Sequence, residues 1–237
     1  MNEPILITGC ARSGTSLVAG IINQRGAFGG KMSGPTLNNA KGMFENAQIR
    51  NNIVKPYFRS LNVDPLGQYP LPVIEGMVPP VGWSTKIEQI MLDEGYEGGP
   101  WMYKGAKLCL HWPVWNDAFP NAKWIIVRRK TSDIIHSCLR TGFMRAFIGK
   151  GNQRSVGANS EWEGWLWWVH QHEERFIEMI QEGLNCKVIW PERMVDGDYT
   201  QIKEMLKWLD LEWGPEVMDF IEPKLYHSRA RLKKENE

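Results

Sequence analysis

The segment of the chain that most constrains its fold is residues 9–16, which read Gly-Cys-Ala-Arg-Ser-Gly-Thr-Ser. They come directly after the apolar run at residues 5–7. An apolar run followed by a loop bounded by glycines, with hydroxyl residues at its end, is typical of a β-strand, a phosphate-binding loop and a helix in succession. We therefore predict that the chain begins with a strand whose carboxyl end carries an anion-binding loop.

This loop departs from the Walker P-loop, G-x-x-x-x-G-K-[ST], at one position. Gly9, Gly14 and Ser16 match the pattern, whereas Thr15 stands where the lysine belongs. Backbone N–H groups at a helix N-terminus can still bind an anion without that lysine, and Arg12 supplies a cation inside the loop. The missing lysine argues against a nucleoside-triphosphate kinase and favours a different phosphate-bearing ligand.

Short apolar runs alternate with helical patterns, which predicts an α/β fold: a three-layer, P-loop-like arrangement with a mainly parallel central sheet flanked by helices. The runs expected to form strands are residues 4–8, 101–104, 124–127 and 187–190. The segments expected to form helices are residues 15–24, 46–61, 84–94 with Ser84 as N-cap, a helix from the N-cap Ser132, 160–182, 199–209 and 216–221. The loops expected to shape a ligand pocket are residues 26–42, 62–82 and 149–160.

Composition bounds the class of protein. A chain of 237 residues, 43% of them hydrophobic, predicts one globular domain over residues 1–237. A net charge of +1 implies no bulk attraction to nucleic acid or to an anionic membrane. With no signal-peptide pattern and no apolar run of ~20 residues, we expect a cytoplasmic protein without a membrane span. The four scattered cysteines form no C-x-x-C pair, so we expect reduced thiols and no metal site.

Cations follow three of the expected strands. Arg12 lies in the loop after the first strand, Lys104 and Lys107 follow the second, and Arg128-Arg129 follow the third. In open α/β sheets, ligands bind beyond the carboxyl ends of the strands. Arg128 and Arg129 alone would be solvated surface charges, but together with the loop they predict a crevice for a ligand with separated anionic groups.

The chain resembles the sulfotransferases that use 3′-phosphoadenosine 5′-phosphosulfate (PAPS) as donor. Their 5′-phosphosulfate loop typically reads (Lys/Arg)-Ser-Gly-Thr-(Thr/Ser), and residues 12–16 match it throughout. Their 3′-phosphate motif is an apolar strand, an arginine, an aspartate four residues later and a serine eight residues later, which Arg129, Asp133 and Ser137 match. The donor-binding residues that this resemblance implies are Arg12, Ser13, Gly14, Thr15, Ser16, Arg129 and Ser137, with Arg128 as the weaker candidate.

Three further segments are similar to the carbohydrate-type and bacterial branch of the family. They are residues 42–46, which read Gly-Met-Phe-Glu-Asn, residues 101–110 around Lys104, and residues 188–195. The family's Lys-Asp-Pro-Arg segment is altered here, because Gly105, Ala106 and Lys107 replace Asp, Pro and Arg. The resemblance covers residues 4 to 210 and implies PAPS as donor, 3′-phosphoadenosine 5′-phosphate (PAP) as product, and no metal.

The resemblance also implies catalytic roles. Arg12 stabilises charge on the departing 5′-phosphate, to which Thr15 and Ser16 donate their hydroxyls, and Lys104 lies near the sulfuryl group or the acceptor. Glu45 is the candidate general base; the alternative is that it caps the helix after it. His111 is the second candidate, and the alternative for it is a structural histidine in a turn.

Two other groups keep two interpretations open. A tryptophan cluster on the long helix favours core packing, with one or two rings lining the acceptor pocket as the alternative; its members are Trp162, Trp165, Trp167 and Trp168. Arg229 and Arg231 favour a solvated basic tail, with closure over the 3′-phosphate as the alternative.

The function expected from these observations is transfer of a sulfuryl group from PAPS to a hydroxyl or amine of a small-molecule, lipid or carbohydrate acceptor. The alternatives are a P-loop nucleotide kinase and a catalytically inactive relative that binds PAPS or PAP. Neither nucleic acid nor a membrane is an expected partner.

Overall fold

The computed structural model describes residues 1–37 and 39–226. Its centre is a sheet of four parallel strands in the order β2-β1-β3-β4. The strands are β1 (Ile5–Gly9), β2 (Met102–Lys104), β3 (Lys123–Val127) and β4 (Cys186–Ile189). All four predicted strands are confirmed, each displaced by about one residue, and the prediction of a parallel sheet is confirmed.

Ten α-helices surround the sheet within the described residues. They are α1 (Thr15–Gln24), α2 (Lys55–Ser60), α3 (Trp83–Asp93), α4 (Trp112–Ala118), α5 (Thr131–Arg140), α6 (Lys150–Ser155), α7 (Glu161–Gln181), α8 (Pro191–Val195), α9 (Thr200–Trp208) and α10 (Glu216–Phe220). A 3₁₀ turn, Leu108–His111, precedes α4, and a second, Pro223–Leu225, follows α10.

Alternation of side chains along the strands builds two hydrophobic layers. Leu6 of β1 and Trp124 and Ile126 of β3 pack with residues from α3, α4, α5 and α7. Ile7 and Ile125, one position along each strand, pack on the opposite face with residues from α1 and α9. Successive strand residues point to opposite faces, so a continuous apolar run supplies both layers at once. The three-layer α/β fold is therefore confirmed.

The helix-start predictions were partly wrong. The start of α7 is close to the predicted residue 160, and Ser160 caps this helix, since its side chain accepts the N–H of Glu163 at 3.2 Å. The helix α3 begins one residue before Ser84, after Gly82, and α5 begins at Thr131 rather than after Ser132. In both cases the helix begins without a capping hydrogen bond from a serine side chain.

Three short helices were not predicted. The helices α4 and α8 both begin with a proline in the first two positions, Pro113 and Pro191. Proline breaks a helix when it lies in the interior. At the start of a helix its missing N–H costs nothing, because an N–H at that position has no partner within the helix. The helix α6 lies inside the segment expected to be a polar loop.

The predicted helix over residues 46–61 contains a π-helical segment, Ile49–Val54, that continues into α2. Asn46 begins it, because its Oδ1 accepts the N–H of Ile49 at 2.9 Å. Pro56 has no N–H to donate to the residue four positions before it, and its ring crowds that carbonyl. This explains why the wider turn lies directly before the proline.

The strand order creates a switch point at β1. The chain passes from β1 to β2 on one side and returns to β3 on the other. Helical connections leave a crevice at such a point, beyond the carboxyl ends of the strands. Within the two described stretches, no helix combines the length and apolar character that crossing a bilayer requires. The expectation of one domain over residues 1–237 stays a prediction.

Candidate active site

The loop after β1 folds back tightly on itself. Ser13 donates its N–H to the carbonyl of Cys10 at 3.1 Å. A Cβ atom at Gly9 would lie 2.8 Å from the Ser13 Oγ and 2.9 Å from the Thr15 Cγ2, so only glycine fits there. Gly14 has φ +99° and is the N-cap of α1, a left-handed conformation that glycine adopts without strain.

The N-terminus of α1 opens into a cleft. The cap residue Gly14 has no side chain, so it cannot satisfy the first N–H groups of the helix as serine or aspartate would. Gly14, Thr15 and Ser16 all line the cleft. Unsatisfied N–H groups together with the positive end of the helix dipole favour an anion at this position.

Two of the predicted loop hydroxyls differ in their surroundings: Ser13 lies outside the cleft lining, and Ser16 lines the cleft with its hydroxyl bonded to protein groups. Ser13 is fully buried outside the cleft lining, and its Oγ has no hydrogen-bond partner among the described residues. The Ser16 hydroxyl donates to the carbonyl of Met43 at 3.2 Å and accepts the amide of Asn39 at 3.3 Å. Ser16 therefore ties α1 to the loop at residues 39–43.

Arg12 joins the two predicted donor motifs. Its Nε donates to the Ser137 Oγ at 3.0 Å, and its carbonyl accepts Arg129 Nη1 at 2.9 Å across a separation of 117 residues. Arg12 adopts φ +74°, a left-handed conformation that is rare for a side-chain-bearing residue and clusters at functional sites. Burial, reinforced by Arg129 and Arg140, lowers the pKa of Arg12.

The adjacent arginines after β3 have different surroundings. Arg129 is buried, lines the cleft, and places its guanidinium 4.3 Å from the centre of the Tyr226 ring. Arg128 forms an ion pair with Glu173 on α7 and lies 4.9 Å from the Trp190 ring. Of the two, only Arg129 is in a position to bind a ligand in the cleft.

The cleft has a volume of about 800 Å³, within the range of roughly 300–1,000 Å³ usual for small-molecule sites. Its lining holds two carboxylates, Glu45 and Glu222, and eight cations. The cations are Arg12, Lys41, Arg50, Lys55, Lys104, Lys107, Arg129 and Arg140. The whole chain carries only +1, so positive charge is concentrated here and favours an anionic ligand.

The order of the strands in the sheet sets the order of three cleft cations along its carboxyl edge. Lys104 ends β2, Arg12 follows the central β1, and Arg129 follows β3 on the other side. Lys104 is buried, and it lines the same cleft as Arg12 and Glu45. Burial lowers the pKa of Lys104, and Arg50 and Arg12 lower it further, while Glu45 opposes them.

Glu45 lines the cleft and is only 5% exposed. Its nearest cation is Arg50, with Nη1 3.9 Å from the Glu45 Oε2. Asn46, and not Glu45, caps the following helix. Phe44, at φ +50°, makes the sharp turn before it and packs edge-on against Phe220 at 5.9 Å. The capping hydrogen bond therefore comes from Asn46, while Glu45, one residue before it, stays beside the positive end of the helix.

His111 is placed outside the cleft, which corrects the catalytic interpretation. It is fully buried, with Nδ1 3.0 Å from the carbonyl of Lys107, and its Nε2 accepts the indole N–H of Trp115 at 2.8 Å. Burial lowers the pKa of His111 to about 3. Both ring nitrogens hold the turn before α4 together, so His111 is structural.

The loops at residues 26–42 and 62–82 contribute to the cleft, whereas 149–160 does not. Thr141, Phe143 and Met144 line it instead. Gln68 links these walls, since its amide donates to the Phe143 carbonyl at 2.8 Å and its Oε1 accepts the Arg145 N–H at 2.9 Å.

In the tryptophan cluster of α7, Trp165 and Trp168 are buried in the core, and Trp168 also borders the cleft. Its indole N–H donates to the Gly67 carbonyl at 2.9 Å. Arg229 and Arg231 lie outside the described residues.

Comparison with known proteins identifies the fold. No protein-family model matches the chain, and no curated protein matches its sequence. The sulfotransferase domain from the curacin biosynthetic pathway superimposes with a TM-score of 0.54 at 14% identity, over 94% of this chain and 78% of that one. The sulfotransferase domain of the Synechococcus PCC 7002 olefin synthase gives 0.54 at 12% identity, over 98% and 82%. Sulfotransferase STF1 from Mycobacterium tuberculosis H37Rv gives 0.53 at 12% identity, over 99% and 76%. The chain therefore has the sulfotransferase fold, and the expected resemblance is confirmed at that level.

The structure adds site residues that the sequence did not single out. Tyr226 stacks under Arg129, and Arg50 and Lys55 line the cleft near Glu45. Arg50 and Lys55 belong to the predicted helix over residues 46–61 and were not considered as site residues. The signal that could have found them is Pro56, which disturbs the helix at this point.

Proposed function

We propose that the protein is a sulfotransferase that moves a sulfuryl group from PAPS to a hydroxyl or amine of an acceptor. The observation that carries this proposal is the contact of Arg129 and Ser137 with Arg12, beside the uncapped N-terminus of α1. That contact brings two anion-binding motifs to one cleft at the switch point of the sheet.

Two groups of residues would hold the donor. The N–H groups at residues 14–16 suit the 5′-phosphosulfate, because they lie at the positive end of α1. Arg129 and Ser137 suit the 3′-phosphate, since a guanidinium and a hydroxyl bind phosphate oxygens through charge-assisted hydrogen bonds. The cationic lining of the cleft supports a ligand with two such anionic groups.

When bound, the donor supplies the sulfuryl group, whose bond to the 5′-phosphate oxygen breaks as a bond to the acceptor oxygen forms. By analogy with phosphoryl transfer, the work of the protein is positioning and electrostatic stabilisation. Arg12 stabilises charge developing on the phosphate side, and Lys104, which lines the cleft at the end of the strand next to β1, stabilises the sulfuryl oxygens. Both side chains are largely buried, which strengthens these interactions.

Glu45 is the proposed general base. A carboxylate on the β2 side of the cleft can accept the proton that the acceptor hydroxyl loses as its oxygen bonds to sulfur. The Arg50 guanidinium, with Nη1 3.9 Å from the Glu45 Oε2, pairs with this carboxylate at the wall of the cleft. His111 cannot take the role, because both its nitrogens are engaged away from the cleft.

Thermal shift measurements test donor recognition. PAP at 100-fold over its Kd stabilises the protein by about 2.7 kcal/mol, which corresponds to roughly 5–10 °C for a chain of this size. We expect this rise without magnesium, and a smaller one for ATP with magnesium. A preference for ATP with magnesium would identify a nucleotide kinase instead.

Transfer of labelled sulfate from PAPS to a panel of hydroxyl and amine acceptors tests the reaction itself. We expect transfer by the wild-type protein and its loss in Glu45→Gln. PAP binding without transfer to any acceptor would leave a donor-binding relative without activity. That outcome would refute the catalytic proposal and leave the donor site intact.

A further inference from the structure

Three cations line the cleft on the β2 side, apart from the donor contacts at Arg12 and Arg129. We call Arg50, Lys55 and Lys107 the acceptor-side cluster. Electrostatic interactions connect all three with one another and with Glu45. Glu45 interacts favourably with all three charges, and its Oε2 lies 3.9 Å from the Arg50 Nη1.

The π-helical segment places two members of the cluster on one side. The Lys55 N–H donates to the Arg50 carbonyl, so the two residues lie one wide turn apart. In a regular α-helix, residues five positions apart would point about 140° away from each other. The π-helix therefore brings both charges to the cleft, and such segments are frequent at functional sites.

Lys107 lines this side of the cleft and is largely buried. Its relative exposure is 9%, and among the described residues no hydrogen bond or ion pair reaches its ammonium group. Burying a charge without a partner is costly. Burial is accordingly the main cause that lowers the pKa of Lys107. A ligand that brings a negative charge would remove this cost.

We propose that the acceptor carries an anionic group, a carboxylate or phosphate, which binds the acceptor-side cluster while its nucleophilic hydroxyl faces Glu45. This inference rests on the proposed function, since it names the substrate class of the same site. The body of the acceptor lies against an apolar wall formed by Leu66 and Phe143, which line the cleft and are 52% and 44% exposed. The acceptor is thus an amphipathic hydroxy acid or phosphate ester.

Equilibrium dialysis against PAP-saturated protein tests the proposal without knowledge of the natural acceptor. The probes are 4-hydroxybenzoate with its methyl ester, and phenyl phosphate with phenol. Each pair shares an aromatic body and differs in charge. We expect at least one anion to bind about tenfold more tightly than its neutral counterpart, the scale of one charge-assisted contact.

Lys107→Met and Lys55→Met should each reduce this preference by about tenfold without changing the Kd of PAP. Lys55 is half-buried and keeps the test valid if the buried Lys107→Met fails to fold. Lys150→Met, at an exposed position outside the cleft lining, is the matched control and should change neither value.

The results separate the two proposals. If PAP binds but neither anion binds better than its neutral counterpart, the anionic acceptor is refuted and the donor site stands. If the preference for the anion survives in both Lys107→Met and Lys55→Met, the anionic acceptor is likewise refuted and the donor site stands. If PAP does not bind at all, the proposed function fails, and the anionic acceptor fails with it.

Discussion

Replacement of Arg129 by alanine is the sharpest test of the donor site, because Arg128 offers a matched control. Arg129 lines the cleft and donates to the Arg12 carbonyl at 2.9 Å. Arg128 is paired with Glu173 and lies over the Trp190 ring. The two substitutions remove the same charge from adjacent positions, so a difference between them reports local contact and not net charge.

The expected magnitude follows from one lost contact. A hydrogen bond to a charged group contributes about 1.5–3 kcal/mol, which corresponds to about a 10- to 150-fold weaker Kd for PAP. Arg128→Ala should change the Kd less than about threefold, because a charge without direct contact acts through screened electrostatics. Arg129→Lys should fall between, since lysine keeps the charge but loses the planar fork.

Isothermal titration calorimetry with PAP and with adenosine 5′-monophosphate completes the test. The second ligand lacks the 3′-phosphate, so Arg129→Ala should weaken PAP and leave adenosine 5′-monophosphate nearly unchanged. An equal loss for both ligands would mean that Arg129 acts by supporting the loop through the Arg12 carbonyl. Equal effects of the Arg128 and Arg129 substitutions would refute the assignment altogether.

Three other predictions concern catalysis and stability. Arg12→Ala should reduce kcat by roughly 10²–10³-fold with a smaller effect on PAP affinity. Single-turnover rates measure the first effect and calorimetry the second. A loss of PAP affinity without a loss of kcat would contradict the proposed role of Arg12. Glu45→Gln should reduce turnover by roughly 10²–10⁴ with an unchanged Kd for PAP, whereas normal turnover would exclude Glu45 as the base. Burial lowers the pKa of His111 to about 3 and of His172 to about 4, below the unfolded value near 6.5. The unfolded state then binds more protons below pH 6.5, so stability is level above that pH and falls as the pH drops toward 4. In urea unfolding, each histidine should lower the free energy of unfolding by about 2 kcal/mol between pH 7.5 and 5.0. The variant His111→Gln should lack the part of this decrease that His111 contributes. An unchanged pH dependence in that variant would show that His111 is not neutral and buried.

Local sequence predicted most of the fold. The apolar runs at the four strands were recognised because a parallel strand buried on both faces must be apolar along its whole length. The short helices α4 and α8 were not predicted, although both begin with a proline in the first two positions, where proline is accommodated. The π-helical segment was missed because nothing in a periodicity pattern separates one wide turn from a regular one.

The candidate site, like the fold, could be predicted from the sequence only in part. The sequence by itself determined the loop after β1, its cation Arg12, and the spacing of Arg129 and Ser137, because these depend on residues near one another in the chain. Only the tertiary structure decided which charges meet. It paired Arg128 with Glu173 and placed Arg129 in the cleft. It engaged both nitrogens of His111 in the core, and it placed Arg50, Lys55 and Lys107 in the same cleft lining as Glu45. Such outcomes depend on contacts between segments distant in sequence, and side-chain burial and electrostatics are set by those contacts.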